Sequence, residues 1–166
     1  MEGDIKAQFL LYKQYSKAMY NIAVRFMNNT MDAEDVLQES FVTAFEKLDK
    51  LENPKLFSAW LRRIVVNNCI SILRKRKIYF EELEERTIVA EDYDDVNAGI
   101  DPAIVHKAIK ELPEGGRTIL VLYALEGYKH REIAEMLNIS ESTSRTQYSR
   151  ALKILKESLK HKIYVN

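Results

Sequence analysis

The chain has 166 residues, of which 46% are hydrophobic and 30% charged, and this length suits one large core or two small ones, not three or more domains. It contains no stretch close to the roughly 20 consecutive apolar residues that cross a bilayer, and its amino end lacks the basic-then-apolar order of a signal peptide, so we expect a cytoplasmic protein without membrane insertion. The single cysteine, Cys69, excludes an internal disulfide and has no Cys or His at ligand spacing, so no metal site or other cofactor is predicted.

Charge is unevenly distributed along the chain. The 25 basic and 25 acidic residues cancel overall, but residues 1–79 carry a net charge of +4, residues 80–101 one of −8, and residues 102–166 one of +4. The acidic segment has no sustained apolar period, and Gly99 and Pro102 disfavour a helix through its end. We interpret it as a flexible linker between two small helical domains; an acidic loop on one continuous domain is the alternative.

Three segments with the period of amphipathic helices precede this linker. The first runs from about Lys6 to Met27. The second begins near Asp32 with Thr30 as candidate N-cap, and its predicted core residues are Leu37, Phe41, Ala44, Phe45 and Leu48. The third follows Pro54, and its predicted core residues are Phe57, Leu61, Ile64, Val65, Cys69, Ile72 and Leu73.

The third helix has a strongly basic character. It contains no carboxylate, and its cations are Arg62, Arg63, Arg74, Lys75, Arg76 and Lys77. Helical spacing places Arg63, Asn67, Ile70 and Arg74 on one exposed ridge, with Lys77 near them. Such a face favours a bound anion, most commonly nucleic-acid phosphate; an ordinary solvated basic helix end is the alternative.

The second helix has the opposite charge. Asp35, Gln38 and Glu39 lie on the face opposite its core residues, and residues 28–52 hold seven carboxylates and two lysines. DNA would repel this surface, whereas a basic protein partner would fit it. An ordinary acidic helix start is the alternative.

Four helices are predicted after the linker, at about residues 102–112, 113–127, 129–136 and 141–159. Asp101 and Pro102 form a helix start, and Gly127 a helix end. Only the turn 137–140 separates the last two helices, which is typical of a helix-turn-helix. The predicted fold is therefore all-α, with two domains and a helix-turn-helix in the second.

The last helix has side chains of the types that contact DNA. Ser140 is well placed to cap it, and its predicted core residues are Tyr148, Ala151, Leu152, Leu155 and Leu159. Its other side collects Ser142, Arg145, Thr146, Ser149, Lys153, Lys156 and Lys160. Short hydroxyls and long cations near a helix amino end suit base edges and phosphates in the major groove; a polar surface helix is the alternative.

Four segments of the helices described above contain most of these features: DAEDVLQESF (32–41), FSAWLRRIVVNNCISILRKRK (57–77), ELPEGGRTILVLYALEGYKHREIAEMLNIS (111–140) and TSRTQYSRALKILKE (143–157). They resemble the successive signatures of the extracytoplasmic-function sigma factors. Their order and spacing agree with the family over nearly the whole chain. The resemblance implies a region 2 domain at 1–79, a linker at 80–101 and a region 4 domain at 102–166.

The resemblance also implies partners and residue roles. The partners are core RNA polymerase, through its beta-prime clamp helices and beta flap, promoter DNA, and an anti-sigma factor. The clamp positions are Asp35, Gln38 and Glu39. For the minus-ten element the matching residues are Trp60, Arg63, Asn67 and Arg74, with the loop Lys50–Leu56 helping Asn67 to hold a flipped base and Phe57 near strand opening. For the minus-35 element they are Ser142, Thr143, Arg145, Thr146, Ser149 and Arg150.

The sequence departs from the family at the start of the last helix. Ser142-Thr143-Ser144 stands where Gly-Thr-Val is usual, and Gln147 and Tyr148 replace a commoner Arg-Leu pair, which leaves the preferred promoter sequence open. The chief rival function is a helix-turn-helix regulator that acts without polymerase. An enzyme is less favoured, because His106, His130 and His161 are scattered without a paired carboxylate or nucleophile at suggestive spacing, and no small-molecule substrate is predicted.

Overall fold

The computed structural model describes residues 2–76 and 101–164, with side chains from 5 to 76 and from 101 to 161. The chain divides into two compact units, Met1–Lys77 and Ile78–Asn166. The described residues are helical and contain no strand, so the predicted all-α fold with two helical regions is confirmed. The predicted acidic linker, up to Ile100, lies outside the described residues.

The amino-terminal unit is a three-helix bundle. Helix α1 spans Glu2–Met27, α2 spans Thr30–Glu46 and α3 spans Phe57–Lys75, and each packs against the other two. Short 3-10 turns at Leu48–Lys50 and Pro54–Leu56 connect α2 to α3. The wholly buried side chains at its centre include Ala23, Phe26, Ala33, Val36, Ala44, Leu61, Val65, Val66, Cys69 and Leu73.

A pair of asparagines makes the turn between α1 and α2. Asn28 takes a left-handed backbone conformation with φ of 55°, which asparagine tolerates better than most residues. The side chain of Asn29 then accepts a 2.9 Å hydrogen bond from the backbone N–H of Met31 and caps α2. The prediction that Thr30 is the cap was therefore wrong: Thr30 is the first helical residue.

Helix α3 is buried over a wider arc than its sequence predicted. Val66 is wholly buried and Ile70 is 4% exposed, so Ile70 belongs to the core and not to the exposed ridge. Contact with both α1 and α2 explains the extra buried residues. Among the described residues, the helical run Pro54–Lys75, formed by the second 3-10 turn and α3, is long and apolar enough to cross a membrane. Its packing against α1 and α2 identifies it as the core helix of this unit.

In the part of the carboxy-terminal unit that the structure describes, residues 101–164, there are four helices. They are α4 (Pro102–Lys110), α5 (Glu114–Leu120), α6 (His130–Leu137) and α7 (Glu141–Tyr164), and α5 continues into a π-helical turn at Val121–Leu125. Asp101 caps α4 by accepting a 2.9 Å hydrogen bond from the N–H of Ala103, as predicted. Gly127 follows the π-helical turn with φ of 79°, which explains why the chain ends its helix there.

A buried arginine closes the corner between α4 and α5. The Arg117 side chain is 5% exposed, and its Nη1 donates hydrogen bonds to the carbonyl oxygens of Leu112 at 2.9 Å and Lys110 at 3.4 Å. These carbonyls lie at and just beyond the end of α4, where a cation is favoured. Burial lowers the pKa of Arg117, while Glu114 opposes the shift.

Helices α6 and α7 form the predicted helix-turn-helix. The turn passes through Asn138, which is left-handed with φ of 55°, and the N–H of Ile139 bonds back to the carbonyl of Ala134 at 3.1 Å. Ser140 Oγ accepts a 3.0 Å hydrogen bond from the N–H of Thr143, so it caps α7 as predicted.

Candidate nucleic-acid and protein interfaces

The outward face of α2 combines acidic and apolar side chains. Asp35, Gln38 and Glu39 are all exposed, as the sequence predicted. Met31, 70% exposed, and Val42, 55% exposed, lie on the same side, because the five positions 31, 35, 38, 39 and 42 follow helical spacing. We call these five residues the α2 stripe. The sequence analysis missed Met31 and Val42, although their spacing was a usable signal.

The exposed polar face of α3 carries the predicted minus-ten residues. Arg63, Asn67 and Arg74 are exposed, and Ile70 between them is buried. We call the three exposed residues the α3 ridge. Their cations and amide can meet phosphates and a base edge together.

Two aromatic residues near the start of α3 have different environments. Phe57 is 5% exposed and packs against Tyr15, with ring centroids 5.3 Å apart. Trp60 is half-buried and touches Phe57, at 6.1 Å between centroids. Phe57 is therefore a core residue, and Trp60 is the aromatic side chain of this pair that a nucleic acid can reach.

The loop before α3 is largely exposed and locally ordered. Asn53 Oδ1 accepts a 3.0 Å hydrogen bond from the N–H of Lys55 and caps the short turn Pro54–Leu56. Leu56 is 56% exposed beside the buried Phe57. The loop thus presents an apolar side chain and polar backbone at the α3 amino end.

Arg76, just beyond the end of α3, forms an ion pair within the unit. Arg76 Nη2 lies 2.7 Å from a carboxylate oxygen of Asp32, and both side chains are partly exposed. This ion pair joins the carboxy end of α3 to the first turn of α2. Arg76 therefore contributes less to an anion-binding face than the sequence indicated.

The predicted minus-35 residues on the outward side of α7 differ in their exposure and in their partners. Arg145 and Arg150 are exposed, whereas Thr146 and Ser149 are half-buried. Arg145 forms an ion pair with Glu141 one turn earlier. Thr146 Oγ1 donates a 2.9 Å hydrogen bond to the carbonyl of Ser142. Arg145 would have to exchange Glu141 for a base edge to read DNA.

Two further predicted base readers are engaged with the helix cap. Ser142 Oγ lies 2.9 Å and Thr143 Oγ1 2.7 Å from Ser140 Oγ. Ser142 is exposed and Thr143 half-buried. Their hydroxyls therefore take part in starting α7, in addition to any contact with DNA.

The inward side of α7 is more polar than predicted. Ser144 is wholly buried and Gln147 is 7% exposed, so both belong to the core that had been assigned to apolar residues. Ser144 Oγ forms a 2.9 Å hydrogen bond with Nδ1 of His130, which is 8% exposed. Ser144 and Gln147, two of the residues that depart from the family pattern, thus face the interior of the unit.

Family models match both units of the chain. The model of Sigma-70 region 2 matches residues 11–78, and that of Sigma-70, region 4 matches residues 103–155. Together they cover most of the sequence and coincide with the α1–α3 bundle and the helix-turn-helix unit. These two regions define a sigma-70 type transcription initiation factor.

The relatives refine this class. The chain is 31% identical to the RNA polymerase sigma factor SigV of Bacillus subtilis over 87% of this chain and 86% of that protein, and 29% identical to the ECF RNA polymerase sigma factor SigW of the same species over 96% and 92%. A solved structure of the sigma factor RpoE with the anti-sigma factor NepR from Bartonella quintana is 26% identical, with a TM-score of 0.56 and coverage of 95% of this chain and 97% of that one. The chain belongs to the extracytoplasmic-function sigma factors, and it directs promoter-specific initiation by core RNA polymerase.

Proposed function

We propose a division of labour among three surfaces of this sigma factor. The α2 stripe binds the beta-prime clamp helices of core RNA polymerase. The α3 ridge, with Trp60 and the loop Lys50–Leu56, opens the minus-ten element and holds a flipped base at Asn67. The outward side of α7 reads the minus-35 element, and the same unit contacts the beta flap.

The segregation of charge within the amino-terminal unit carries this proposal. The α2 stripe has two exposed carboxylates, whereas the α3 ridge has two exposed arginines and no acid. A single small bundle thus presents one face that repels DNA and another that attracts it. The exposed Met31 and Val42, at the two ends of this acidic face, add apolar surface that a protein partner would bury.

A helix-turn-helix regulator without polymerase is not favoured. It would account for α6 and α7 but not for the region 2 match over residues 11–78. An enzyme is also disfavoured, since Ser144, which contacts His130 among the residues described, has no exposed surface on which to meet a substrate. We therefore treat the chain as an initiation factor and not as a catalyst.

We further propose regulation by an anti-sigma factor in the cytoplasm. The RpoE structure that resembles this chain contains its anti-sigma factor NepR. An inhibitor bound to the α2 stripe and to the outward side of α7 would block the binding of both polymerase and DNA. An inhibitor that covers them would keep the protein inactive.

Polymerase binding tests the proposal directly. The Asp35→Arg/Glu39→Arg double variant should bind core polymerase at least about tenfold more weakly, because it reverses the charge of an exposed interface without touching the core. Binding is measured by titrating labelled protein with core polymerase in the absence of DNA, and helical content by circular dichroism.

A charge-matched control separates this face from net charge. Asp49→Arg/Glu157→Arg makes the same change in charge at exposed positions outside the α2 stripe, and it should bind as the wild type does. Normal binding by the Asp35/Glu39 variant, or an equal loss by the control, would remove the α2 stripe from the polymerase interface.

A further inference from the structure

Beneath the outward side of α7 lies a cluster of four residues from three elements. Tyr123 comes from the π-helical turn, His130 from the first residue of α6, and Ser144 and Tyr148 from one face of α7. We call them the His130 cluster.

The contacts of the cluster hold the imidazole on three sides. Its ring stacks on Tyr123, with centroids 4.2 Å apart and planes inclined by 14°. Tyr148 meets the same ring edge-on at 5.6 Å and also touches Tyr123 at 4.6 Å. The 2.9 Å hydrogen bond between His130 Nδ1 and Ser144 Oγ then restrains the rotation of the ring within its own plane.

A buried polar pair fixes the position of one helix against another more strictly than apolar packing does. His130 and Ser144 are both buried, so each satisfies the other, and sliding or rotating α7 would leave two desolvated polar groups without a partner. A valine at position 144, usual in the family that the sequence resembles, would pack there but could not bond to His130. The hydrogen bond therefore requires the departure from the family pattern at position 144.

The cluster lies directly behind the proposed base-reading residue. Ser144 precedes Arg145 by one position, so any rotation of α7 that moves Ser144 moves Arg145 as well. A rotation of about 20° shifts a group about 6 Å from the helix axis by roughly 2 Å, which is enough to break a hydrogen bond to a base.

We propose that His130 is a specificity-determining positioning residue: through Ser144 and the two tyrosines it sets the rotation of α7 at which Arg145 faces the minus-35 bases. This inference rests on the proposed role of α7 in minus-35 recognition. His130 acts through other residues and does not itself contact the promoter.

The test uses the full chain bound to core polymerase and a promoter library with a randomised minus-35 element. The variants are His130→Leu, Ser144→Ala, the double variant and His130→Asn, with His106→Leu as control because His106 is exposed on α4. The quantity measured is the ratio of affinities for the preferred and scrambled minus-35 sequences. Thermal unfolding is followed in parallel.

We expect each single variant to lower this ratio about threefold to tenfold, while affinity for scrambled sequences stays unchanged. The double variant should lose no more than His130→Leu alone, because both changes remove the same bond. His130→Asn, whose amide can occupy the place of Nδ1 but which lacks the ring that the tyrosines hold, should lose less than His130→Leu, and His106→Leu should stay within about twofold of the wild type.

Equal losses at preferred and scrambled sequences would indicate a merely structural role and overturn the inference, as would an unchanged ratio in Ser144→Ala. If His130→Leu fails to fold, Ser144→Ala and His130→Asn decide the question by themselves. A wild-type holoenzyme that selects no minus-35 sequence would instead refute the proposed function of α7, and the inference with it.

Discussion

Asn68 Nδ2 donates a 3.0 Å hydrogen bond to Ser40 Oγ, and this bond joins α3 to α2. Ser40 is wholly buried and follows Glu39 of the α2 stripe, while Asn68 is half-buried and follows Asn67 of the α3 ridge. The proposed polymerase and promoter faces are thus linked through the interior by one polar contact.

Removing this contact should destabilise the amino-terminal unit. Ser40→Ala should lower the free energy of unfolding by about 1 kcal/mol, since it leaves the Asn68 amide without its partner. Asn68→Ala should cost a similar amount, and the double variant less than the sum of the two. Urea unfolding followed by the fluorescence of Trp60, the single tryptophan, reports this unit specifically. Ser58→Ala, at an exposed position of α3, is the control, and strictly additive losses at Ser40 and Asn68 would show that the two side chains are not coupled.

Val42 provides a test of the apolar part of the α2 stripe. Val42→Ala should weaken binding to core polymerase by roughly threefold, because it removes apolar surface that the interface would bury. Folding should not suffer, since alanine favours a helix and Val42 is 55% exposed. Leu10→Ala removes a similarly exposed side chain from α1 and should leave the affinity unchanged. Equal effects at both sites would mean that the stripe has no special role.

Asn67→Ala should separate polymerase binding from promoter opening. The side chain is exposed on the α3 ridge, so its loss should not disturb the bundle or the α2 stripe. We expect normal affinity for core polymerase and strongly reduced permanganate reactivity of thymines in the minus-ten region. Gln14→Ala, which removes an exposed amide from α1, is the matched control. Wild-type reactivity in the Asn67 variant would exclude this role.

His130 should make the stability of the carboxy-terminal unit depend on pH. Burial lowers its pKa below the usual value, Arg145 lowers it further, and Glu141 opposes them; Tyr123 and Tyr148 cover the ring. The unfolded chain therefore binds this proton at a higher pH than the folded one. The contribution of His130 to stability is fully present above its pKa in the unfolded chain, which is about 6.5. It is lost as the pH falls from that value through the lowered pKa of His130 in the folded protein.

The prediction is checked by thermal unfolding of the full chain at several pH values between 7.5 and 5. His130→Asn cannot titrate there and should lose less stability than the wild type as the pH falls. His106→Asn, at an exposed histidine, should follow the wild type. Identical pH profiles for all three proteins would show that His130 does not report the environment described above.

Local signals in the sequence predicted most of the fold. Asp101 before Pro102, Ser140 and Gly127 each mark a helix end through the residue's own backbone or side chain, and the structure has all three in those roles. The cap of α2 was misplaced by one residue because Asn29 and Thr30 are both good caps, and only the geometry of the turn decides between them.

Contacts between distant residues were the part that sequence could not supply. Ile70 was placed on the exposed ridge because a helical period indicates where the buried face is centred but not its width, which α1 and α2 together determine. Ser40 and Asn68 are 28 positions apart, and His130 and Ser144 are 14 apart. Neither pair has a periodic signature, so neither polar link was foreseen.

The outward side of α7 allows base reading and phosphate holding to be separated within one helix. Arg145 is exposed in the second turn of α7, whereas Lys156 is half-buried about three turns further along. When the amino end of α7 enters the major groove, Arg145 reaches base edges and Lys156 reaches the phosphate backbone of the DNA. Arg145→Ala should therefore cost about 1 to 3 kcal/mol at the preferred minus-35 sequence and flatten the preference there.

Lys156→Ala should weaken binding to all sequences alike and reduce the slope of log affinity against log salt by about 1, because one fewer phosphate is neutralised. Both variants and the wild type are measured as holoenzymes against randomised minus-35 elements at two salt concentrations. Glu141→Gln removes the ion pair of Arg145 and should keep the wild-type sequence preference. It should bind the promoter somewhat more tightly, because Arg145 then contacts a base without first breaking an ion pair. An intact preference in Arg145→Ala together with an altered one in Lys156→Ala would reverse the assigned polarity of α7 in the groove.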